Sequence, residues 1–187
     1  MKNDLLEPAL KALCEGQTLL YPTDTIWGIG CDATNAQAVE KIYAIKERDH
    51  TKSMLVLASP TMLSPLLPTE AADLLLRSQR PTTVILPQNM LLAPLAENLP
   101  AHDGTVGVRI PNMDFCQQLL SAFGKPIVST SANLSSHPSP ASYEDIDPEL
   151  LHRIDCPLPD HPDFHHPSTG SSTIVKLTPT GIITIRP

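Results

Sequence analysis

The chain has 187 residues, 41% of them hydrophobic and 18% charged, which is enough apolar matter for one substantial core and too little charge for a disordered protein. Thirteen basic residues against twenty acidic ones leave a net charge of -7, which excludes the broad basic face of a nonspecific nucleic-acid binder, so an anion must meet a local basic cluster. No stretch approaches the roughly 20 apolar residues of a membrane span, and acids interrupt the opening MKNDLLEPALKALCEG where a signal peptide needs an apolar run, so a cytoplasmic location is expected. Residues 4–15 place Leu5, Leu6, Ala9, Leu10 and Leu13 at helical spacing, with Gly16 as the C-terminal stop. TLLYP then reads as a short buried strand, and PTDTIWGIGCDAT as a loop. Asn35 is the expected N-cap of a second helix carrying Val39, Ile42 and Tyr43 on one face.

Further along, SMLVLA (53–58) reads as a strand, Thr69 to Arg77 as a short helix, and TTVIL (82–86) and TVGVRIP (105–111) as strands. Asn112 is placed to cap a helix carrying Phe115, Leu119, Leu120 and Phe123, stopped by Gly124, and PIVST (126–130) is the next strand. Residues 134–171 are rich in proline, serine and histidine and are expected to be the least ordered part, with one short helix near Tyr143 to Leu151. STIVKL and IITIRP, joined by TPTG, form a closing hairpin. The twenty prolines argue against a helical bundle. Strands and helices interleave with unequal connections, so the expected fold is α+β (mixed α/β), a twisted mixed sheet flanked by helices in a single domain over residues 1–187.

Three short segments carry polar groups that suit a ligand. In Pro22-Thr23-Asp24-Thr25-Ile26-Trp27-Gly28-Ile29-Gly30 a strand ends in hydroxyls, an acid and the only tryptophan; it reads as a rigid pocket for a small polar ligand or as an ordinary turn. Lys46, Arg48 and Lys52 leave a helix end together, placed either on a solvated surface or converging on a polyphosphate. Ser129-Thr130-Ser131-Ala132-Asn133 ends a buried strand, where sheets commonly bind ligands, and also suits a plain Ser/Asn turn. Arg109 sits on an otherwise apolar strand; pointing inward, it requires an anionic partner. The run CPLPDHPDFHHP matches no common zinc spacing and reads as a mobile loop, and Cys14, Cys31, Cys116 and Cys156 read as reduced, mostly buried thiols.

The order of these pieces is more specific than any one of them: PTDT-x-[aromatic]-Gly, Lys-x-Arg, an Arg-bearing strand, Ser-Ala-Asn and a late Ser-Ser-Thr. The pattern resembles the YrdC family from about Thr18 to Arg186, in its short single-domain form. That resemblance implies an L-threonylcarbamoyladenylate synthase, a nucleotidyltransferase joining L-threonine, bicarbonate and ATP with Mg2+ and releasing pyrophosphate. The product would serve threonylcarbamoyladenosine formation in tRNA through downstream tRNA-modification proteins. It further implies that Lys46, Arg48 and Lys52 carry catalysis, and that Thr25, Arg109 and Ser172 hold the threonine. Arg48, Lys52, Thr105, Ser131, Asn133, Ser139 and Arg186 would contact the nucleotide, and no metal ligand is assigned in the protein. Asp49, Trp27, Ser136 and the Arg80-Pro81-Thr82-Thr83 turn depart from the family's usual residues and bear on loop geometry. Two rivals share the fold: a double-stranded RNA or ribosome binder making a local RNA contact without turnover, and a carbamoyl transferase with another acceptor. The acidic balance and the lack of aromatics among the basic residues count against the first.

Overall fold

The computed structural model describes residues 3–51, 54–164 and 170–187. α1 (Asn3–Cys14) buries Ala9, Ala12 and Leu13 on one face, packs against α4 (Asp114–Phe123), and ends before Gly16, whose φ of 66° closes the turn. α2 (Ala36–Lys46) begins where the Asn35 side chain accepts the backbone N–H groups of Gln37 and Ala38. α3 (Thr69–Arg77) and α5 (Pro148–His152) complete the helices of the described residues.

The strands are β1 (Leu19–Tyr21), β2 (Gly28–Gly30), β3 (Leu55–Leu57), β4 (Thr82–Pro87), β5 (Thr105–Arg109), β6 (Ile127–Ser131), β7 (Cys156–Pro157), β8 (Thr173–Thr178) and β9 (Gly181–Arg186). Among the described residues they form one mixed sheet in the order β7-β1-β2-β6-β3-β5-β4-β8-β9. β1/β7, β3/β5 and β4/β8 run parallel and the other neighbours antiparallel, as the expected mixed sheet requires.

The central register explains where a site can form. Val128, Val56, Val108, Val84 and Val175 are successive partners across β6, β3, β5, β4 and β8, and all are buried. Side chains alternate faces along a strand, so this branched row seals one face into the core while the next row, Ser129, Leu55, Gly107 and Ile85, faces the other way. That second face mixes glycine and hydroxyl residues with Leu55 and Ile85 and leaves a hollow.

Four expectations need correction. The loop after Pro22 contains a strand, β2, paired with β1 and β6; two glycines in three residues hid it, and Gly30 is required because a Cβ there would lie 2.3 Å from the Val128 carbonyl oxygen. Met113, not Asn112, is the N-cap of α4 and makes no side-chain cap bond; one residue earlier, the Asn112 backbone N–H donates to Asp24 Oδ2 at 3.0 Å. The segment read as least ordered folds up to Phe164: Ile146, Leu150, Ile154 and Leu158 are buried, β7 pairs with β1, and the helix is confined to Pro148–His152. Among the cysteines, Cys31 and Cys116 are buried, but Cys14 is exposed at the end of α1. His165 and His166 lie outside the described residues. No helix of the described residues is long and apolar enough to cross a membrane.

Candidate active site

The hollow has a volume of about 310 Å³, at the lower end of the range for small-molecule sites. Its floor is the sheet face bearing Gly28, Ser129, Leu55, Gly107 and Ile85, with Thr83 and Ile174 beside them. Gly107 keeps the floor low: a Cβ there would come within 3.1 Å of Thr83 Cγ2 and 3.3 Å of Leu55 Cβ.

One wall is the turn from Thr23 to Gly28. The Thr23 hydroxyl donates to the Ile26 carbonyl at 2.7 Å and accepts the Thr25 and Ile26 backbone N–H groups. With that proton committed, the Thr25 hydroxyl donates to Thr23 at 2.9 Å and is left to accept Nη1–H of Arg109, also at 2.9 Å. Arg109 Nη1 also pairs with Asp24 Oδ1 at 2.8 Å, and the two side chains are only 3% and 7% exposed. Asp24 is therefore the anionic partner that an inward Arg109 demanded. Arg109 Nε is buried without an acceptor among the described residues.

Two more guanidinium groups line the hollow. α2 ends with Glu47 in the left-handed region at φ 50°, its N–H bonded to the Ala44 carbonyl and that of Arg48 to the Tyr43 carbonyl. This turn swings Arg48 away from the helix direction and onto the hollow, half-buried, where desolvation lowers its pKa and Tyr43 partly opposes that shift. Arg186, at the end of β9, donates through Nε and Nη2 to the Ser172 carbonyl at 3.2 and 2.7 Å, and the Ser172 hydroxyl lies 2.8 Å from that of Thr83. Ser131 and Ser139 complete the hydroxyl lining. Trp27 closes one side, its ring meeting Tyr143 edge-on at 5.0 Å and Phe164 at 6.2 Å; Phe164 also contacts Phe115 at 5.2 Å. The segment after β6 is thus anchored on the wall by aromatic packing.

Of the residues singled out from sequence, Thr25, Arg48, Arg109, Ser131, Ser139, Ser172 and Arg186 meet on this hollow. Lys46, Thr105 and Asn133 do not line it. Lys46 is 1% exposed and gives its ammonium to the carbonyls of Ser131 and Asn133, so it neither lies on a solvated surface nor joins Arg48 on the hollow. Burial, with Arg48 adding to it, lowers the Lys46 pKa to about 7. Thr105 opens β5 with its hydroxyl on Asp103 Oδ1 at 2.6 Å, four residues from Arg109. The Asn133 amide donates to the Leu134 and His137 carbonyls. Lys52 lies outside the described residues.

Sequence reasoning assigned no role to Asp24, Thr83 or Gly107. The signal for Asp24 was available, as the acid between two threonines in a segment already suspected; Thr83 and Gly107 become visible only through strand register. Cys116 offers no nucleophile: it is buried under Pro22, donates to that carbonyl at 3.2 Å, and is pushed up to about 12 by burial and by Asp24. Among the described residues lining the hollow no histidine, lysine or carboxylate stands ready to activate a hydroxyl, which suits a site that aligns anionic substrates rather than one that forms a covalent intermediate.

A relative from Xanthomonas axonopodis pv. citri named threonylcarbamoyl-AMP synthase is 35% identical over 162 residues, covering 80% of this chain and 82% of its own. One of the same name from Xanthomonas euvesicatoria pv. vesicatoria is 36% identical over 157 residues, covering 80% and 82%. Among solved structures, P. abyssi Sua5 complexed with L-threonine aligns over 97% of this chain with a TM-score of 0.80 and 28% identity; the chain spans about half of that protein, 53%. The family model Sua5/YciO/YrdC, described as telomere recombination, matches residues 11–187. With the match running from the last turns of α1 through the closing hairpin, the chain belongs to the Sua5/YciO/YrdC family.

Proposed function

We propose that the protein is a threonylcarbamoyl-AMP synthase that joins L-threonine, bicarbonate and ATP and releases pyrophosphate. The observation that carries the reading is the buried Arg109 on the hollow, oriented by Asp24 and Thr25. A threonine carboxylate is an anion that a guanidinium recognises. The names of the relatives, and the threonine in the Sua5 structure, point to the same amino acid.

In this reading Arg109 binds the carboxylate, while the Thr25 and Ser172 hydroxyls orient the rest of the amino acid. The amine adds to the carbon of bicarbonate with loss of water, giving a carbamate. A carbamate oxygen then attacks the α-phosphorus of ATP, forming the new P–O bond as the bond to the leaving pyrophosphate breaks. Arg48, Arg186, Ser131 and Ser139 take the nucleotide, with Arg48 and Arg186 neutralising phosphate charge; Lys52 joins them by motif alone. When bound with ATP, magnesium would supply charge neutralisation on the phosphates, and the hard hydroxyl oxygen of Ser131 on the hollow would be able to bond water around it. No protein nucleophile is needed, and rate comes from alignment and charge. The labile product passes to downstream tRNA-modification proteins, and the reaction belongs in the cytoplasm.

The test is pyrophosphate release from ATP, magnesium and bicarbonate with each amino acid in turn. The reading expects release that requires threonine and bicarbonate together. Release without any amino acid, or with carbamoyl phosphate in place of both, would refute it, and salt-sensitive RNA binding with no pyrophosphate would turn the reading to the RNA-binding rival.

A further inference from the structure

Lys46 and Arg48 are two residues apart, yet the structure uses them in opposite ways. Glu47 at φ 50° ends α2, and the reversal sends Arg48 onto the hollow while Lys46 stays under it. There the Lys46 ammonium donates to the Ser131 and Asn133 carbonyls, and its own peptide carbonyl accepts the Ser135 N–H at 3.0 Å. The residue therefore grips both ends of one loop, by side chain and by main chain. Ser131 O also accepts the Asn133 N–H at 2.9 Å, so the turn that carries Ser131 depends on the same anchor.

We propose that Lys46 is a positioning residue that binds the Ser131–Ser135 loop to the end of α2 and so fixes the distance between the Ser131 hydroxyl and the Arg48 guanidinium, without touching nucleotide phosphate. One amine serves two part-buried carbonyls here, and both an ammonium and a neutral amine have the N–H groups to do so. What the site requires at this position is donors, not positive charge. The proposal rests on the synthase reading only for its activity arm.

Two variants separate the roles. Lys46→Met keeps the bulk but takes the side-chain donor away from both carbonyls, leaving Ser131 O with the Asn133 N–H alone; Lys46→Gln is uncharged and one bond shorter but carries two N–H groups. Amide exchange over residues 131–135 is measured in the ligand-free protein, with β5 amides as the internal reference, alongside kcat and KM for ATP. Lys46→Met should speed exchange in the loop by about tenfold or more with β5 unchanged, and lower kcat rather than raise KM for ATP. Lys46→Gln should restore loop protection and most of the lost kcat without any charge. Activity lost in either variant while the loop exchanges at the wild-type rate would overturn the proposal, because it would show that the charge itself is used. Should Lys46→Met fail to fold, Lys46→Gln decides alone: activity kept without charge, or lost together with loop protection, supports positioning. A wild-type protein with no threonine-dependent pyrophosphate release would end the synthase reading, and the exchange measurement would still decide the role of Lys46.

Discussion

Replacing Arg109 by Met tests the Asp24–Arg109 pair and the threonine assignment together. The two side chains are 3% and 7% exposed and meet at 2.8 Å, so removing the guanidinium takes the opposite charge from a carboxylate in a place water barely reaches, although the Asn112 N–H still donates to it. Breaking a pair of this kind costs about 3–5 kcal/mol, and at roughly 2–4 °C per kcal/mol for a chain of this size the melting temperature should fall by about 10 °C. Asp24→Leu strands the guanidinium instead and should cost a similar amount. The double substitution removes both charges and should recover most of the loss, because a buried pair replaced by apolar residues is often neutral. Activity should not follow stability: Arg109→Met and the double variant should both lose about 10²-fold or more in kcat/KM for threonine, the loss expected when a buried charged anchor is removed. The assay is a double-mutant cycle read by thermal melting and by threonine kinetics at saturating ATP. A double variant no more stable than either single would show that the charges do not depend on one another, and an unchanged threonine KM in Arg109→Met would remove the amino acid from this end of the hollow.

Arg48→Ala should raise KM for ATP by about tenfold or more while melting as the wild type does, since the half-buried guanidinium contributes to ligand binding rather than to the core. Gly30→Ala should lower the denaturation midpoint by the equivalent of about 1–3 kcal/mol or more, because the added carbon meets the Val128 carbonyl at 2.3 Å and Tyr21 Cε1 at 2.7 Å. Stability should also rise with pH just above neutrality. The Lys46 pKa is lowered to about 7, so above that pH the unfolded chain holds a proton at this residue that the folded chain has released. The gain is on the order of 1 kcal/mol per pH unit toward the ordinary lysine value. Burial raises the pKa values of Cys31 and Cys116, so above about pH 9 their ionisation in the unfolded chain favours unfolding and opposes the gain. Denaturation at pH 7 and 8.5 should show a slope in the wild type that Lys46→Met lacks.

The helices were legible wherever an apolar stripe met a cap: Asn35 and Gly124 bound their helices as their chemistry dictates. Valine-rich strands could be read from alternation, as in TTVIL and TVGVRIP, because branched residues on one face announce the core. The three-residue β2 could not, since Gly-Ile-Gly has neither length nor alternation and exists as a strand only because β1 and β6 offer partners on both sides. Within the site, Arg109 declared its need for an acid, but the acid lies 85 residues away, and only the sheet brings Asp24 to it. Lys46 shows the limit of spacing arguments: residues two apart point the same way on a strand, but a left-handed cap between them sends one to the hollow and the other beneath it. Composition also misled over residues 134–164, where proline and serine suggested loose chain while Ile146, Leu150 and Phe164 tie the segment to the core and to Trp27.

The single tryptophan stands on the hollow itself, which makes the occupancy of the site directly measurable. Titrating L-threonine into the wild type while following Trp27 emission should give a saturable change that vanishes in Arg109→Met and survives in Arg48→Ala. A threonine response that persists without Arg109, or an equal response to leucine, would mean that the amino acid binds somewhere else.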